Sequence, residues 1–212
     1  ESLNIPHIST DIFYDKQSAL NAVKNAVYPF IFKLSEGAGS NNVIMVKGYR
    51  HAKKLVNKLF GKGMPAINRV SIIKERVSAI KKDPSFSKFL FLLGSLLRLL
   101  VPSKHEKSLP RIRGYFYMQK FLEGNDWDTR LVVIGSRCFG ARRNCRPNDF
   151  RASGSGDPSY EIKNITDEML NIAFESAKKL AMQSVAFDFI KEGNKFVIIE
   201  ISYCFGLGEF YD

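Results

Sequence analysis

Asp188 and Glu200 are the residues whose type and spacing point most directly to chemistry. They sit in two apolar runs, Val185 to Ile190 and Phe196 to Ser202, on either side of Glu192-Gly193-Asn194, a turn-forming triplet. Side chains alternate across a hairpin. Val185, Phe187 and Phe189 therefore form one apolar set with Val197, Ile199 and Ile201, and Asp188, Glu200 and Ser202 share the opposite face. A three-residue connection sets Asp188 opposite Ile198 and makes the two acids diagonal neighbours. Paired carboxylates on an otherwise apolar face repel one another and lose hydration, so they call for a proton or a cation. Magnesium takes oxygen ligands and keeps positions open for water and phosphate, which suits such a pair. Two acids facing solvent at a sheet edge would give the same pattern.

Two further groups handle anions. Lys33 closes an apolar strand just before Ser35-Glu36-Gly37-Ala38-Gly39-Ser40, where small residues let backbone N–H groups approach phosphate oxygens beside a positive charge. The spacing matches neither the Walker pattern nor the dinucleotide fingerprint, and a plain flexible turn reads the same way. Further on, a Gly135-Ser136 turn pairs Ile134 with Arg137 and sets Arg130 opposite Ala141. Arg130 and Arg143 then share a face, with Arg142 on the other side and Arg146 and Arg151 in the next loop. Adjacent guanidiniums suit a carboxylate or phosphate, or stand as solvated surface charges.

The elements that must hold these groups follow from periodicity. Helices are expected from Asp15 to Val27, with Asp15 as cap, from Arg50 to Phe60, and from Thr166 to Met182. Strands are expected at Tyr28 to Leu34, Val43 to Val46, Tyr115 to Phe121, Thr129 to Gly135 and Arg137 to Arg143, besides the final hairpin. Residues 72–109 stand apart as a helical insertion: a basic stretch, a break at Asp83-Pro84, the Leu- and Phe-rich segment Phe86 to Val101, and a polar linker. This irregular order argues for an α+β chain of two lobes, 1–114 and 115–212, meeting near Tyr115 to Gly124.

Composition narrows the classes. The chain has 212 residues, 45% hydrophobic, and a formal charge of +11, which implies an anionic partner. Its aromatics occupy core-like positions rather than alternating with Lys and Arg, so no nucleic acid is expected. Cys138, Cys145 and Cys204 lack zinc or disulfide spacing and read as free thiols of a reducing cytoplasm; His7, His51 and His105 lie far apart. Residues 1–10 lack a secretory layout, and Phe86 to Val101 is too short and too interrupted to span a bilayer.

In chain order these segments resemble the ATP-grasp superfamily, and within it the carboxylate–amine ligases such as glutathione synthetase and ribosomal-protein glutamate ligases. Asn4-Ile5-Pro6-His7-Ile8-Ser9-Thr10 is similar to the opening segment of the nucleotide lobe, and Tyr28-Pro29-Phe30-Ile31-Phe32-Lys33 to the strand with the phosphate-contacting lysine. Met118-Gln119-Lys120-Phe121-Leu122-Glu123-Gly124 looks like the adenine hinge, with Asp126-Trp127-Asp128-Thr129-Arg130 after it. Asp188-Phe189-Ile190 and Ile199-Glu200-Ile201-Ser202 are similar to the metal-binding finish. The arginine-rich stretch from Arg142 to Gly156 looks like a bacterial branch linked with surface-polysaccharide synthesis.

The resemblance implies an ATP-grasp fold with the nucleotide between two lobes, and ATP and Mg2+ as cofactors. Lys33 would contact the α- and β-phosphates, and Gly37, Gly39 and Ser40 would close over the triphosphate. Gln119, Lys120 and Phe121 would hold the adenine edge through their backbone, with Glu123 or Asp126 at the ribose. Asp188, Glu200 and Ser202 would bind magnesium, and Arg130, Arg143 and Arg151 would face phosphate or an acyl-phosphate. Ser202 stands where the superfamily usually has asparagine, and a hydroxyl is a weaker donor than an amide carbonyl. The superfamily also places a substrate domain upstream of the opening segment, so the chain is expected to be part of a longer protein. The implied reaction joins an unidentified carboxylate to an amine through an acyl-phosphate. A phosphotransferase and a non-catalytic nucleotide-binding module are the alternatives. Phe86 to Val101 is expected to serve interlobe packing or a homodimer contact, with peripheral membrane docking as the alternative.

Overall fold

The computed structural model describes residues 3–34, 42–67, 84–100, 109–146, 149–152 and 158–205, together with scattered positions between 69 and 80. It divides into two compact units, Thr10–Phe121 and a second made of Glu1–Ser9 with Leu122–Asp212.

In the first unit, β1 (Thr10–Phe13), β2 (Phe30–Phe32), β3 (Ile44–Val46) and β6 (Phe116–Lys120) form an antiparallel sheet in the order β1-β6-β2-β3. The expected β2–β3 hairpin is present, with Phe30 opposite Val46 and Phe32 opposite Ile44. Its glycine-rich tip, 35–41, lies outside the described residues. Helix α1 (Lys16–Asn25) starts where the Asp15 carboxylate accepts a bond from the Ser18 N–H at 2.8 Å. Helix α2 (Tyr49–Leu59) buries Ala52, Leu55, Val56 and Leu59, one stripe of its surface. Together with Ala19, Val23, Phe30, Phe32, Val46 and Phe116 they make one core. Gly63, at φ 72°, turns the chain into β4 (Met64–Pro65), which pairs with β5 (Arg111–Ile112).

The second unit is a five-stranded antiparallel sheet in the order β11-β10-β7-β8-β9. Its strands are β7 (Trp127–Ile134), β8 (Arg137–Asn144), β9 (Pro158–Ser159), β10 (Ser184–Glu192) and β11 (Lys195–Ser202). A further helix, α3 (Phe86–Leu100), belongs to the first unit; α4 (Asp167–Lys179) covers one face of the five-stranded sheet. Thr166 caps α4 by accepting from Met169 N–H, acids occupy its first turn and lysines its last, in the sense its dipole favours. Met169, Ala173 and Ala177 pack on Leu131, Val133, Val185, Phe187, Phe189, Phe196 and Ile198. Alternation then sends Asp128, Arg130, Ala141, Arg143, Ala186 and Asp188 to the other face.

Two expectations need correction. The division does not fall at 114/115. β6 is paired on both sides by β1 and β2, so the chain leaves the first unit only after Phe121. Residues 3–9 join the second unit through Ile8 N–H to Ile198 O and Ile198 N–H to Pro6 O, each 3.0 Å. The register of the last hairpin also differs. A two-residue Gly193-Asn194 turn pairs Glu192 with Lys195 and Phe189 with Ile198, and a bulge then makes Ile199 the extra residue, so Asp188 faces Glu200 directly. Phe196 and Ile198, not Val197 and Ile201, therefore share the helix-covered core with Phe187 and Phe189, and Val197 packs with Ile8 and Ile190 on the other side. Ile198 is 2% exposed and Ile201 40%. Ile198→Ala should cost about 2–5 kcal/mol and Ile201→Ala under about 1 kcal/mol in urea unfolding; equal losses would contradict this register.

Candidate active site

Three antiparallel pairings set the candidate site. Arg130 on β7 lies opposite Asp188 on β10, Asp128 on β7 lies opposite Arg143 on β8, and Asp188 lies opposite Glu200 on β11. The Arg130 fork is bidentate on Asp188: Nε donates to Oδ1 and Nη2 to Oδ2, both at 2.7 Å. The Arg143 fork is bidentate on Asp128, at 2.7 and 2.8 Å, and its Nη2 also reaches Asp188 Oδ2 at 3.1 Å. Four charges thus form one chain, Asp128 to Arg143 to Asp188 to Arg130. The side chains of Asp128, Asp188 and Arg143 are all under 10% exposed, whereas that of Arg130 is 21% exposed. Glu200 is exposed and accepts from the Ser202 hydroxyl at 3.3 Å. Asp128 was not among the site residues expected from sequence. The signal was available, since the same Gly135-Ser136 turn that aligns Arg130 with Ala141 puts Asp128 opposite Arg143.

Other expected site residues belong to other segments of the two units. Arg151 is bound to Asp149 through its backbone N–H and its guanidinium, the Nη2 at 2.6 Å. Arg142 points to the helix-covered face, 4.3 Å from the centre of the Trp127 ring. Glu123 and Asp126 are exposed beside Asn125, whose amide bridges Leu122 O and the Lys191 backbone. In the first unit, half-buried Lys33 directly follows β2, and Gly37, Gly39 and Ser40 lie outside the described residues. Gln119 is 3% exposed, flanked by β1 and β2, and its amide donates to Thr10 Oγ1 and the Tyr117 hydroxyl. Lys120 ends that strand, and Phe121 is the first residue past it.

Comparison with known proteins decides the family. The model of the RimK-like ATP-grasp domain matches residues 103–211, just over half of the chain. This chain belongs to the RimK-like ATP-grasp family. The fold agrees. The ADP complex of N5-carboxyaminoimidazole ribonucleotide synthetase aligns with a TM-score of 0.54 at 12% identity, over 99% of this chain and 43% of that one. Biotin carboxylase from Campylobacter jejuni, crystallised with a nucleotide, gives 0.54 at 16% identity, over 97% and 38%. The biotin carboxylase domain of Hydrogenobacter thermophilus 2-oxoglutarate carboxylase, a dimer crystallised with MgADP, gives 0.53 at 14%, over 97% and 38%. The chain spans less than half the length of each. No curated protein sequence matches it.

Within the ATP-grasp domain the cluster is electrostatically uneven. Burial alone would raise Asp188, but the hydrogen bonds from Arg130 and the charges of Arg143 and Arg130 hold its carboxyl below the usual range. Burial, and then the charge of Asp188, pushes Asp128 up to about 6 against the pull of Arg143. Arg143, which burial would discharge, stays cationic because both aspartates face it. Three carboxylates, counting Glu200, meet two guanidiniums, so the group keeps a negative excess at neutral pH. Magnesium takes oxygen donors only, and Glu200, Ser202 and the second lone pair of Asp188 Oδ1 are of that kind, so the residues fit a hard divalent ion. Among the described residues, no three His, Cys, Asp or Glu are grouped to hold a metal by themselves. Water and phosphate oxygens would have to complete its shell.

Breaking the buried pairs should be costly. Arg143→Met leaves Asp128 without its fork partner and should lower unfolding free energy by about 3–5 kcal/mol. Arg142→Met, which loses a contact with Trp127, should cost about 1 kcal/mol. Similar losses in the two variants would contradict the assignment. The pH dependence follows from Asp128. Its folded value of about 6 exceeds its ordinary 3.8, so the folded chain holds a proton that the unfolded chain gives up between those values. That contribution to stability is full below about 4 and is lost as pH rises to about 6; the Asp188 contribution has the opposite sign, lost on acidification below its ordinary range. The stability of the parent relative to Asp128→Asn, followed by urea midpoints, should therefore fall across that window. A difference that is flat or rising there contradicts the reading.

Proposed function

We propose that this ATP-grasp domain is the nucleotide-handling part of a ligase that couples a carboxylate to an amine with release of ADP and phosphate. The observation that carries the reading is the alignment of Asp188, Arg130 and Glu200 across β10, β7 and β11, which sets an exposed acid beside a partly exposed guanidinium. Family membership and the nucleotide-bound structures that share the fold support it.

In this proposal the substrate carboxylate attacks the γ-phosphorus, the bond to the bridging oxygen breaks, and ADP leaves with an acyl-phosphate formed. The amine nitrogen then attacks the acyl carbon, phosphate departs with the C–O electrons, and the nitrogen gives up a proton. Nucleophile and triphosphate are both anionic, so the first step needs positive charge held in place. Arg130 is the member of the cluster open enough to meet an anion, and Arg143, nearly buried, positions Asp188. Glu200, Asp188 and Ser202 would hold magnesium, which when bound would supply positive charge against the transferring phosphoryl. Lys33 would meet the α- and β-phosphates, with Gly37, Gly39 and Ser40 covering the triphosphate. The adenine edge would fall to Lys120 and Phe121, since Gln119 lies inside the sheet. Glu123 or Asp126 would meet the ribose. The likeness to a branch linked with surface-polysaccharide synthesis makes sugar acids and amino sugars the substrates to try first.

Incubation of the full-length protein with ATP, magnesium and pooled acids and amines should yield ADP and phosphate, and hydroxylamine should trap the acyl group as a hydroxamate. Glu200→Gln should lower turnover by about a hundredfold. Its stability should stay within about 0.5 kcal/mol, because Glu200 is exposed. AMP and pyrophosphate as products, or an unimpaired Glu200→Gln, would refute the proposal. The engagement of both Asp188 oxygens by guanidiniums favours one second reading, a module that binds nucleotide without turnover. Magnesium-dependent ATP binding with no product in any mixture would select it.

A further inference from the structure

The segment Phe86–Leu100 is helical as expected, but none of the described side chains at 86–96 enters the hydrophobic core of the unit that carries it. Phe86, Phe89, Leu90, Leu93 and Leu96 are between 43% and 76% exposed. At about 100° per residue these five fall within a stripe about 120° wide on one side of α3. The other side is mixed and includes Phe91, 66% exposed. Ser95 is buried there, and the Arg76 guanidinium donates to its hydroxyl and to Phe91 O while lying 5.9 Å from the Phe91 ring centre. Lys88 and Ser87 lie on this side too. The helix is thus held by Arg76 along its Phe91–Ser95 flank, with the five-residue apolar stripe turned to solvent.

Charge indicates what covers the stripe. Residues 68–108 contain nine Lys and Arg against three Asp and Glu, which is more than half of the net charge of +11 in under a fifth of the chain. Lys81 and Lys82 precede the helix closely, and Lys104 and Lys107 follow it. No described helix is long and apolar enough to cross a membrane, and fifteen residues at about 1.5 Å each reach about 22 Å. A short helix with an apolar stripe, bordered by cations, is suited to lie in the plane of an anionic lipid surface. There the rings and leucines enter the acyl boundary and the lysines meet headgroups.

We infer that α3 is a peripheral docking element for anionic lipid bilayers, with Phe86, Phe89, Leu90, Leu93 and Leu96 as its inserting face. This assigns the segment a role independent of the nucleotide chemistry.

Vesicle flotation tests it. The chain should float with vesicles of equal parts phosphatidylcholine and phosphatidylglycerol, and bind phosphatidylcholine alone at least about tenfold more weakly. Phe89→Ser with Leu93→Ser should weaken binding by about tenfold or more while the melting temperature holds, because both side chains lie outside the core. Lys81→Glu with Lys82→Glu should weaken it similarly by removing charge alone. No flotation overturns the inference, as does flotation unaffected by the Phe89 and Leu93 changes. A dimer in sedimentation that the double serine variant converts to monomer, with no lipid binding, overturns it in favour of a second copy as the occupant.

Discussion

Asp188 is an anion in an almost water-free setting, and it can remain one because two guanidiniums converge on it from the neighbouring strands. That constraint organises the second unit. A carboxylate removed from water needs compensation on the spot, and a sheet provides it only if register is exact in every strand. Arg130 must lie directly across from Asp188, and Arg143 must reach over from one strand further. The fork held by Arg143 needs its own counterion, which brings in Asp128. The hydrophobic contact with α4 on the reverse face keeps these registers from slipping, since a one-residue shift would send every charge into the core.

The same arrangement divides labour between two arginines that look alike in sequence. Arg143 is enclosed, and its contacts are satisfied by two aspartates. Arg130 keeps one side toward solvent next to Glu200. The bulge at Ile199 is what brings Glu200 into line; with unbroken pairing the acid would stand elsewhere relative to Asp188. An irregularity in the ladder thus shapes the candidate site, as bulges commonly do.

Much of this was legible in the residues. The Gly135-Ser136 turn fixed which arginines share a face, the Asp15 cap marked one helix start, and Thr166 was the expected first residue of another helix, which it caps. The alternation of Val185, Phe187 and Phe189 identified the buried side of β10. What pattern could not show was the bulge: Val197, Ile199 and Ile201 alternate as cleanly as Phe196 and Ile198, so apolar content alone leaves the register of β11 undecided. The pairing of Asp188 with two arginines was likewise hidden, because these ion pairs depend on three strands at once. The resemblance placed Arg151 with Arg130 and Arg143, and its ion pair with Asp149, two residues away in the same loop, carries no periodicity that sequence could show. The short strands β4, β5 and β9 carry too few residues for any periodicity to register.

Residues 3–9 pair with Ile198, almost two hundred positions later, whereas every strand of the first unit closes within Thr10–Phe121. During vectorial synthesis on the ribosome, the first unit has all its partners before the second has half of its own. Residues 3–9, made before the first unit, must therefore wait beside an already folded neighbour until the β10–β11 hairpin is made.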